Sequence, residues 1–197
     1  MLKEMNILLG VSGGVAAYKA VDLASKLAAE GARVNTVMTE AACRLVGPKI
    51  FEAVTCSAVF TDLWGAAEEF KASHIALVER ADIIVVAPAT ADIIAKVANG
   101  ICDDLLSTTL CAATKLIQSG AVLLAPAMNN NMWNNPAVQR NIKAVKQMGF
   151  QLIGPVKGRL ACGTEAIGRM AEPQDIIKAI EKIASKINRR GRKGRRG

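Results

Sequence analysis

The sequence contains few of the residues that build metal centres, and this scarcity excludes several classes of protein. It has a single histidine, His74, so a histidine-rich metal site is excluded. Its five cysteines are odd in number and lie at least nine positions apart, so no CxxC pair occurs. Neither a zinc site nor a disulfide framework is therefore indicated. We expect a protein without a metal, and this use of cysteine favours the cytoplasm.

Long hydrophobic runs are also missing. A membrane-spanning helix needs about 18 consecutive apolar residues, and no run reaches that length. The apolar stretch at the N-terminus is short and leads directly into Ser12-Gly13-Gly14, which is unlike a secretory signal. We therefore expect no membrane partner.

The positive charge of the chain is confined to one end. There are 25 basic and 17 acidic residues, a net charge of +8, but the last ten residues (NRRGRKGRRG) hold six basic residues and no acidic one. Without them the chain has 19 basic and 17 acidic residues, a net charge of +2. Only this tail favours binding to nucleic acid, so we do not expect nucleic acid as a partner of the protein. We predict a single domain over residues 1–187 and a disordered basic tail over residues 188–197.

The order of apolar segments predicts an α/β domain. Short β-rich runs alternate with longer segments of helical periodicity, as in a parallel sheet with helices on both faces. Strands are predicted at residues 5–11, 33–38, 82–87, 121–125 and 150–153. Helices are predicted at 15–30, 73–80, 91–99, 104–118, 136–148 and 173–187. Two stretches look irregular, residues 47–71 and 154–170.

Ligands of such sheets bind beyond the carboxyl ends of the strands, and the first such segment is rich in glycine. Gly10-Val-Ser-Gly-Gly-Val15 joins a strand to a helix, whose N-terminus suits a phosphate. The segment is not GxGxxG, and Glu40 comes too late to serve as the ribose-binding acid. A mononucleotide phosphate, with Ser12 and Thr39 as hydroxyl donors, is therefore favoured over a dinucleotide. An ordinary tight turn is the alternative.

Residues 87–92 and 103–104 follow other predicted elements and have a structural interpretation. Ala87-Pro-Ala-Thr-Ala-Asp92 places small groups where a flat ring could approach the backbone. Helix capping by Thr90, with Asp92 in the first turn, is the more common use of such residues. Asp103 and Asp104 are interpreted as a charged helix start and not as acid/base catalysts.

Two further segments carry less common chemistry. Pro126-Ala-Met-Asn-Asn-Asn-Met-Trp133 follows a buried strand, and asparagine side chains there could orient a carboxylate or an amide. Residues 158–170 form a glycine-punctuated segment around Cys162, the cysteine with the least packing character, and such a segment is typical of a mobile flap. Cys43, Cys56 and Cys111 are expected to pack as small hydrophobic side chains.

Together these segments resemble the homo-oligomeric flavin-containing cysteine decarboxylases. The likeness covers about residues 5 to 180. It rests on five motifs in the order of that family: GVSGGVAAYK (10–19), SHIALVERADIIVVAPATADIIAKVANG (73–100), DDLL (103–106), PAMNNNMW (126–133) and GRLACGTEAIGRMAEP (158–173). The asparagine signature of the family is met at every fixed position.

The resemblance implies a three-layer flavodoxin-like (Rossmann-like) fold that holds FMN at the strand ends. It implies a homotrimer or a dodecamer built of trimers, with the active site where two subunits meet. The reaction implied is removal of CO₂ from 4'-phospho-N-pantothenoylcysteine to give 4'-phosphopantetheine for coenzyme A biosynthesis. We expect the synthetase that precedes this step to be a separate phosphopantothenoylcysteine synthetase, because the chain is too short to hold it as well.

The resemblance also implies roles for individual residues. His74, Asn129 and Cys162 would be catalytic: His74 as base or orienting group, Asn129 at the carboxylate, and Cys162 in reduction of the enethiol. Arg159 and Arg169 would assist a substrate clamp at residues 154–170. The residues implied to hold FMN are Ser12, Gly13, Gly14, Val15, Thr39, Pro88, Ala89, Thr90, Ala91 and Met128.

Two alternatives remain open within this resemblance. One is a decarboxylase of peptides that end in cysteine, which shares the asparagine signature, although the loop around Cys162 fits the coenzyme A branch better. The other is a flavin-binding regulatory subunit without catalysis, which the presence of His74, Asn129 and Cys162 together disfavours.

Overall fold

A computed structural model describes residues 2–64, 74–159 and 165–194 of the chain. Helices and strands alternate from the start to the end of it. In chain order they are β1 (Asn6–Val11), α1 (Ala17–Ala29), β2 (Arg33–Met38), α2 (Glu40–Cys43), α3 (Pro48–Thr55), β3 (Val59–Phe60), α4 (His74–Arg80), β4 (Ile83–Ala89), α5 (Ala91–Asn99), α6 (Leu105–Ala112), α7 (Thr114–Ser119), β5 (Val122–Pro126), α8 (Asn130–Trp133), α9 (Pro136–Met148), β6 (Gln151–Leu152), β7 (Val156–Arg159), β8 (Glu165–Arg169) and α10 (Pro173–Gly194).

Six of the strands form one parallel sheet in the order β3-β2-β1-β4-β5-β6. The edge strand β3 has only two residues. Without it, the remaining order is the one found in flavodoxin-like folds, in which the chain first runs to one side of β1 and then to the other. The predicted α/β class and parallel sheet are confirmed.

Helices cover both faces of the sheet, because alternate strand residues enter two separate apolar cores. On one face, Leu9 of β1 and Val85 of β4 pack with α1, α3 and α10. On the other face, Leu8 of β1 and Val86 of β4 pack with α4, α5, α6 and α9. Strand residues are thus apolar on both sides, as expected of a parallel sheet inside a three-layer domain. Among the described residues, no helix is long and apolar enough to cross a membrane.

The strand order reverses between β1 and β4, which are direct neighbours. From β1 the chain continues to β2 on one side, whereas from β4 it continues to β5 on the other. The segments after β1 and β4 therefore diverge and leave a crevice between them at the carboxyl edge. A register shift between Val86 and Ala89 also bends the end of β4 at this edge.

The two segments predicted to be irregular contain regular structure. Residues 47–71 include the helix α3, which begins at Pro48 and buries Phe51. Residues 154–170 include an antiparallel pair, β7 and β8, between which residues 160–164 are not described. The base of the predicted clamp is therefore a β-hairpin.

Two predicted helices have different bounds in the structure. The helix predicted at 104–118 is two helices, α6 and α7, that meet at Ala113. The last helix, α10, continues beyond the predicted end at Ile187 to Gly194. Residues 188–194 thus belong to α10, at the start of the segment for which a disordered tail was predicted.

Candidate functional site

A cleft of about 900 Å³ lies at the carboxyl edge of the sheet, at the crevice between β1 and β4. Four chain segments line it: the loop after β1 with the start of α1, the start of α5, the loop after β5, and the end of β8. Its lining residues are Gly13, Gly14, Val15, Ala16, Tyr18, Lys19, Thr90, Ala91, Asp92, Ala127, Met128, Asn129, Met132, Gly168, Arg169 and Met170. The volume is that of a site for a cofactor or a small molecule.

The glycine segment forms one wall of the cleft and requires glycine for steric reasons. A Cβ at Gly13 would overlap the Cβ of Ala41 and lie 2.9 Å from the Ala41 carbonyl carbon. The helix α1 starts directly after this loop, and no side chain caps its N-terminus. The N–H groups of Ala17 and Lys19 donate to the carbonyl oxygens of Gly14 and Ala16. The positive end of the α1 dipole and the glycine segment before it therefore form a wall suited to a phosphate.

Ser12 differs from its predicted role as a hydroxyl donor to a phosphate. Its side chain is buried, and its Oγ donates to the Pro88 carbonyl oxygen at 2.7 Å. The same Oγ accepts a hydrogen bond from the Thr90 backbone N–H at 3.0 Å. The Ser12 side chain therefore links the end of β1 to the end of β4, the two strand ends between which the crevice lies.

Thr39 and Thr90 also depart from expectation. Thr39 is absent from the cleft lining; its Oγ1 accepts from the Ala42 N–H at 3.2 Å and caps α2. Thr90 lines the cleft but does not cap α5 with its side chain, because its Oγ1 lies 3.0 Å from Ser12 Oγ. Capping by Thr90 was the wrong interpretation, since the hydroxyl faces the neighbouring strand end.

Of four other residues predicted to bind the cofactor, two line the cleft and two lie in the sheet. Ala91 and Met128 line the cleft, whereas Pro88 and Ala89 belong to β4 and are not among its lining residues. Pro88 contributes through its carbonyl group, which holds Ser12.

The asparagine-rich segment forms the opposite wall and begins a short helix that the sequence did not predict. Asn129 is the N-cap of α8, and its Oδ1 accepts from the Asn131 N–H at 2.8 Å. The preceding residue, Met128, donates its N–H to the Gly168 carbonyl oxygen at 2.9 Å. The hairpin strand β8 thus holds the backbone of the asparagine segment at the cleft.

Gly168 makes this close contact possible. Its φ is +154°, a conformation that favours glycine, and a Cβ there would overlap the Met128 carbonyl oxygen. The glycines of residues 158–170 were predicted to mark a mobile flap, and the packing role of Gly168 was not predicted. Gly168 lies about 40 residues from the asparagine segment, so no local sequence pattern indicates this contact.

Charged groups at the cleft are held in ion pairs. Lys19, which is nearly buried, contacts Glu172 Oε1 through its Nζ at 2.9 Å, and Arg169 contacts the same oxygen at 2.6 Å. Asp92 lies 3.4 Å from Lys96 Nζ. Lys19 was not among the predicted site residues, although its position on the apolar face of α1 is a signal that could have identified it.

The two adjacent carboxylates, Asp103 and Asp104, have the structural role that was predicted. Asp104 is the N-cap of α6 and forms a capping box with Ser107. Both carboxylates lie 2.9 Å from Lys96 Nζ. Burial opposes the charge on Lys96, but hydrogen bonds to Asp104 and Asp103 outweigh burial and raise its pKa. The hydrogen bond from Lys96 in turn lowers the pKa of Asp103.

Of the remaining candidate catalytic residues, only His74 lies within the described part of the chain, and it does not line this cleft. His74 is the first residue of α4 and is half-buried, but it is not among the lining residues. Cys162 and the predicted end of the clamp around it lie outside the described residues. One chain therefore brings together the glycine segment, Thr90, Ala91, Met128 and Asn129, without His74.

The cysteines that are described are free thiols. Cys43 is half-buried, and burial raises the pKa of its thiol. Cys56 and Cys111 are exposed, so the expectation that they pack as small hydrophobic side chains is wrong. In the described part of the chain, no group of three or more side chains has the composition of a metal site.

Comparison with known proteins agrees with this geometry. The Coenzyme A biosynthesis bifunctional protein CoaBC of Bacillus subtilis is 50% identical over 182 residues, which are 92% of this chain and 44% of that protein. This chain thus spans less than half the length of the curated relatives that it matches.

Solved structures match over their whole length. A cysteine-to-serine mutant of PPC decarboxylase, in complex with pantothenoylaminoethenethiol, superimposes with a TM-score of 0.82 at 32% identity, covering 93% of this chain and 100% of that one. The FMN-dependent cysteine decarboxylase SpaF gives a TM-score of 0.75 at 34% identity, covering 93% and 99%.

The fold and the cleft together define an α/β protein of the flavodoxin-like class, with a ligand site at the reversal of strand order. Within that class, the Flavoprotein family matches residues 1–185. The chain belongs to the Flavoprotein family.

Proposed function

We propose that this chain is an FMN-dependent decarboxylase that converts 4'-phospho-N-pantothenoylcysteine to 4'-phosphopantetheine in coenzyme A biosynthesis. One observation carries the proposal: a single cleft has the glycine segment and the start of α1 on one wall and the asparagine segment, held by β8, on another. The likeness to PPC decarboxylase over the whole of that chain supports the reaction.

The residues of the cleft fit FMN. Gly13, Gly14 and Val15 lie at the uncapped start of α1, where backbone N–H groups would hold the phosphate of FMN. Thr90 and Ala91 on one side and Met128 on the other are small or apolar groups suited to a flat ring. FMN, when bound, would supply the oxidation of the substrate thiol that makes the adjacent carbon electron-poor, so that CO₂ can leave.

Asn129 is the group we propose for the substrate carboxylate. Because Oδ1 accepts from Asn131, the amide is oriented with Nδ2 as its donor. A neutral donor would hold the carboxylate in place without the strong ion pair that would oppose its departure as neutral CO₂. Cys162 would act later, in reduction of the enethiol, as the family resemblance implies.

We further propose that the active site is completed by a second subunit, in a trimer or in a dodecamer built of trimers. His74 is absent from the cleft of its own chain, so it would reach the cleft of a neighbour. Apolar side chains at the cleft are exposed in the single chain, among them Val15 at 67%, Tyr18 at 61% and Met132 at 48%. Such an apolar rim is typical of a surface that another subunit covers.

The synthetase step would be carried by a separate phosphopantothenoylcysteine synthetase, or by further residues of a longer chain. The curated relatives are named as bifunctional, and this chain spans only part of them. We place the reaction in the cytoplasm, where coenzyme A biosynthesis would supply its substrate.

Two measurements test the function. The purified protein should be yellow, with an absorption band near about 450 nm that belongs to oxidised flavin. It should release CO₂ from 4'-phospho-N-pantothenoylcysteine and not from a peptide ending in cysteine. Turnover of the peptide alone would favour the peptidyl-cysteine decarboxylase, and bound flavin without turnover of either substrate would favour the regulatory subunit.

Single variants test the roles of the site residues. Asn129→Asp and His74→Asn should each abolish CO₂ release while FMN stays bound, and Cys162→Ala should release CO₂ but stall at an oxidised intermediate. If the site is shared between subunits, mixing and reassembling the His74→Asn and Asn129→Asp chains should restore part of the activity. Normal turnover by either single variant would contradict the assigned roles.

A further inference from the structure

The strongest unassigned feature at the cleft is a carboxylate shared by two cations. Glu172 Oε1 accepts from Lys19 Nζ at 2.9 Å and from an Arg169 guanidinium nitrogen at 2.6 Å. Lys19 and Arg169 both line the cleft, whereas Glu172 does not. Hydrogen bonds between charged groups are stronger than those between neutral ones. Glu172 therefore holds the charged ends of Lys19 and Arg169, both in the cleft wall, at a single oxygen atom.

The backbone of Glu172 is itself fixed. Its carbonyl oxygen accepts from the N–H groups of Asp175 at 2.9 Å and Ile176 at 3.1 Å, at the start of α10. The helix α10 is anchored in the core, where Ile176 and Ile180 are fully buried. The Glu172 backbone is thus held at the start of a helix that is packed into the core.

The two cations belong to different walls of the cleft. Lys19 lies on α1, whose start follows the glycine loop, and its side chain is only 10% exposed. A charge so deeply buried needs a partner, because an unpaired ion in the interior is costly. Arg169 is the last residue of β8, next to Gly168. Glu172 therefore ties the hairpin to the helix that begins at the opposite wall.

One hydrogen bond connects this group of ion pairs, through β8, to the asparagine segment. Gly168 accepts from the Met128 N–H, and Met128 precedes Asn129. A displacement at Arg169 would move the neighbouring Gly168 and, through it, the backbone of residues 128–129. Glu172 can thus influence the substrate side of the cleft without touching the cleft itself.

We propose that Glu172 is a positioning residue for substrate binding: by holding Arg169 and Lys19 on one oxygen, it sets the position of β8 and hence of the asparagine segment. This inference rests on the proposed decarboxylase function. It assigns Glu172 no contact with the reacting atoms, so its loss should act on KM and leave kcat and flavin content nearly unchanged.

The first experiment compares Glu172→Gln with the wild-type enzyme and with Asp175→Asn as a matched control. Asp175 forms an exposed ion pair with Lys178 on the same helix, at 3.3 Å. For Glu172→Gln we expect KM for 4'-phospho-N-pantothenoylcysteine to rise about tenfold, the value of one charge-assisted hydrogen bond. Asp175→Asn should leave KM unchanged. A lower melting temperature with unchanged KM in Glu172→Gln would overturn the proposal and leave Glu172 a purely structural residue.

Further variants separate positioning from loss of stability. Glu172→Asp keeps a negative charge beside both cations but withdraws the shared oxygen from Lys19 and Arg169 alike, so it should fold normally and still raise KM. The double variant Glu172→Gln/Arg169→Gln should be no worse in KM than Arg169→Gln alone, because the two groups act as one unit. Additive losses would show that Glu172 does not act through Arg169, and would overturn the proposal.

Hydrogen exchange separates failure of this proposal from failure of the proposed function. In Glu172→Gln, the amides of residues 156–159 and 165–170 should exchange faster than in the wild-type protein, whatever the substrate is. If the wild-type protein does not release CO₂, the proposed function fails, while faster exchange still supports the anchoring role. Unchanged exchange would refute the anchoring role itself.

Discussion

Replacement of Gly168 by alanine should damage catalysis more than stability. The Cβ of an alanine at this position would overlap the Met128 carbonyl oxygen and come within 3.5 Å of the Asn129 carbonyl carbon. Neither atom is the flexible end of a side chain, so the backbone of β8 or of residues 128–129 must move. We estimate a displacement of about 1 Å, and misplacement of a site residue by that distance costs about 10²-fold in rate.

The cost to stability has two sources, backbone strain at residue 168 and steric overlap with residues 128–129, and a control variant separates them. Alanine at φ = +154° is strained, and strain of this kind costs about 1–3 kcal/mol. For a domain of this size, that range lowers the melting temperature by roughly 2–12 °C. Gly120→Ala is the matched control, because Gly120 also has a positive φ, +75°, but its nearest neighbour is the end of the Gln151 side chain at 3.4 Å.

The assay is kcat/KM for CO₂ release, measured together with flavin content and the melting temperature of each variant. Gly168→Ala should lose about 10²-fold in kcat/KM, and Gly120→Ala should lose stability alone. Equal kcat/KM in the two variants would refute the reasoning that β8 positions Asn129. Complete loss of flavin in Gly168→Ala would instead show that the substitution disrupts FMN binding and not the position of Asn129.

Three other perturbations have defined outcomes. Ser12→Ala should cost about 1–3 kcal/mol, because the Thr90 N–H loses its side-chain acceptor and the buried Pro88 carbonyl keeps only the Ser12 backbone N–H, at 3.4 Å. Urea unfolding and the flavin-to-protein ratio measure this, and an unchanged midpoint would contradict it. The stability that Lys96 adds should be constant at neutral pH. Because the pKa of Asp103 lies below its usual 3.8, that stability should decline as the pH falls below this value, and because the pKa of Lys96 is raised, it should also decline above 10.5. Unfolding curves of Lys96→Met against wild type across pH test both limits. Deletion of residues 188–197 should leave turnover unchanged, and a large loss would assign the basic segment to the enzyme.

Local patterns predicted the sheet because each central strand is apolar on both faces. The strands β2, β4 and β5 fall within one or two residues of the predicted bounds, and helices α5 and α9 match them. The break between α6 and α7 at Ala113 has no glycine or proline to announce it. Tertiary packing decides this position, since Ala113 is fully buried in the core that α6 and β5 share.

The site was predicted less completely, because several of its residues act through contacts between distant segments. The glycine loop and the asparagine segment could be located, since each directly follows a predicted strand. The roles of Ser12 and Gly168 could not, because their partners lie 76 and 40 positions away in the chain. A hydroxyl after a strand looks the same whether it binds a phosphate or a neighbouring strand.

The distribution of charge explains how a nearly neutral body could serve an anionic substrate and an anionic cofactor. Lys19 and Arg169 share one carboxylate, so this group of three carries a net positive charge at the cleft wall. The start of α1 adds the positive end of a helix dipole at the other side. Six of the basic residues behind the net charge lie in the last ten residues of the chain. Local placement of a few groups, and not the net charge of +8, therefore determines which anions the cleft would bind.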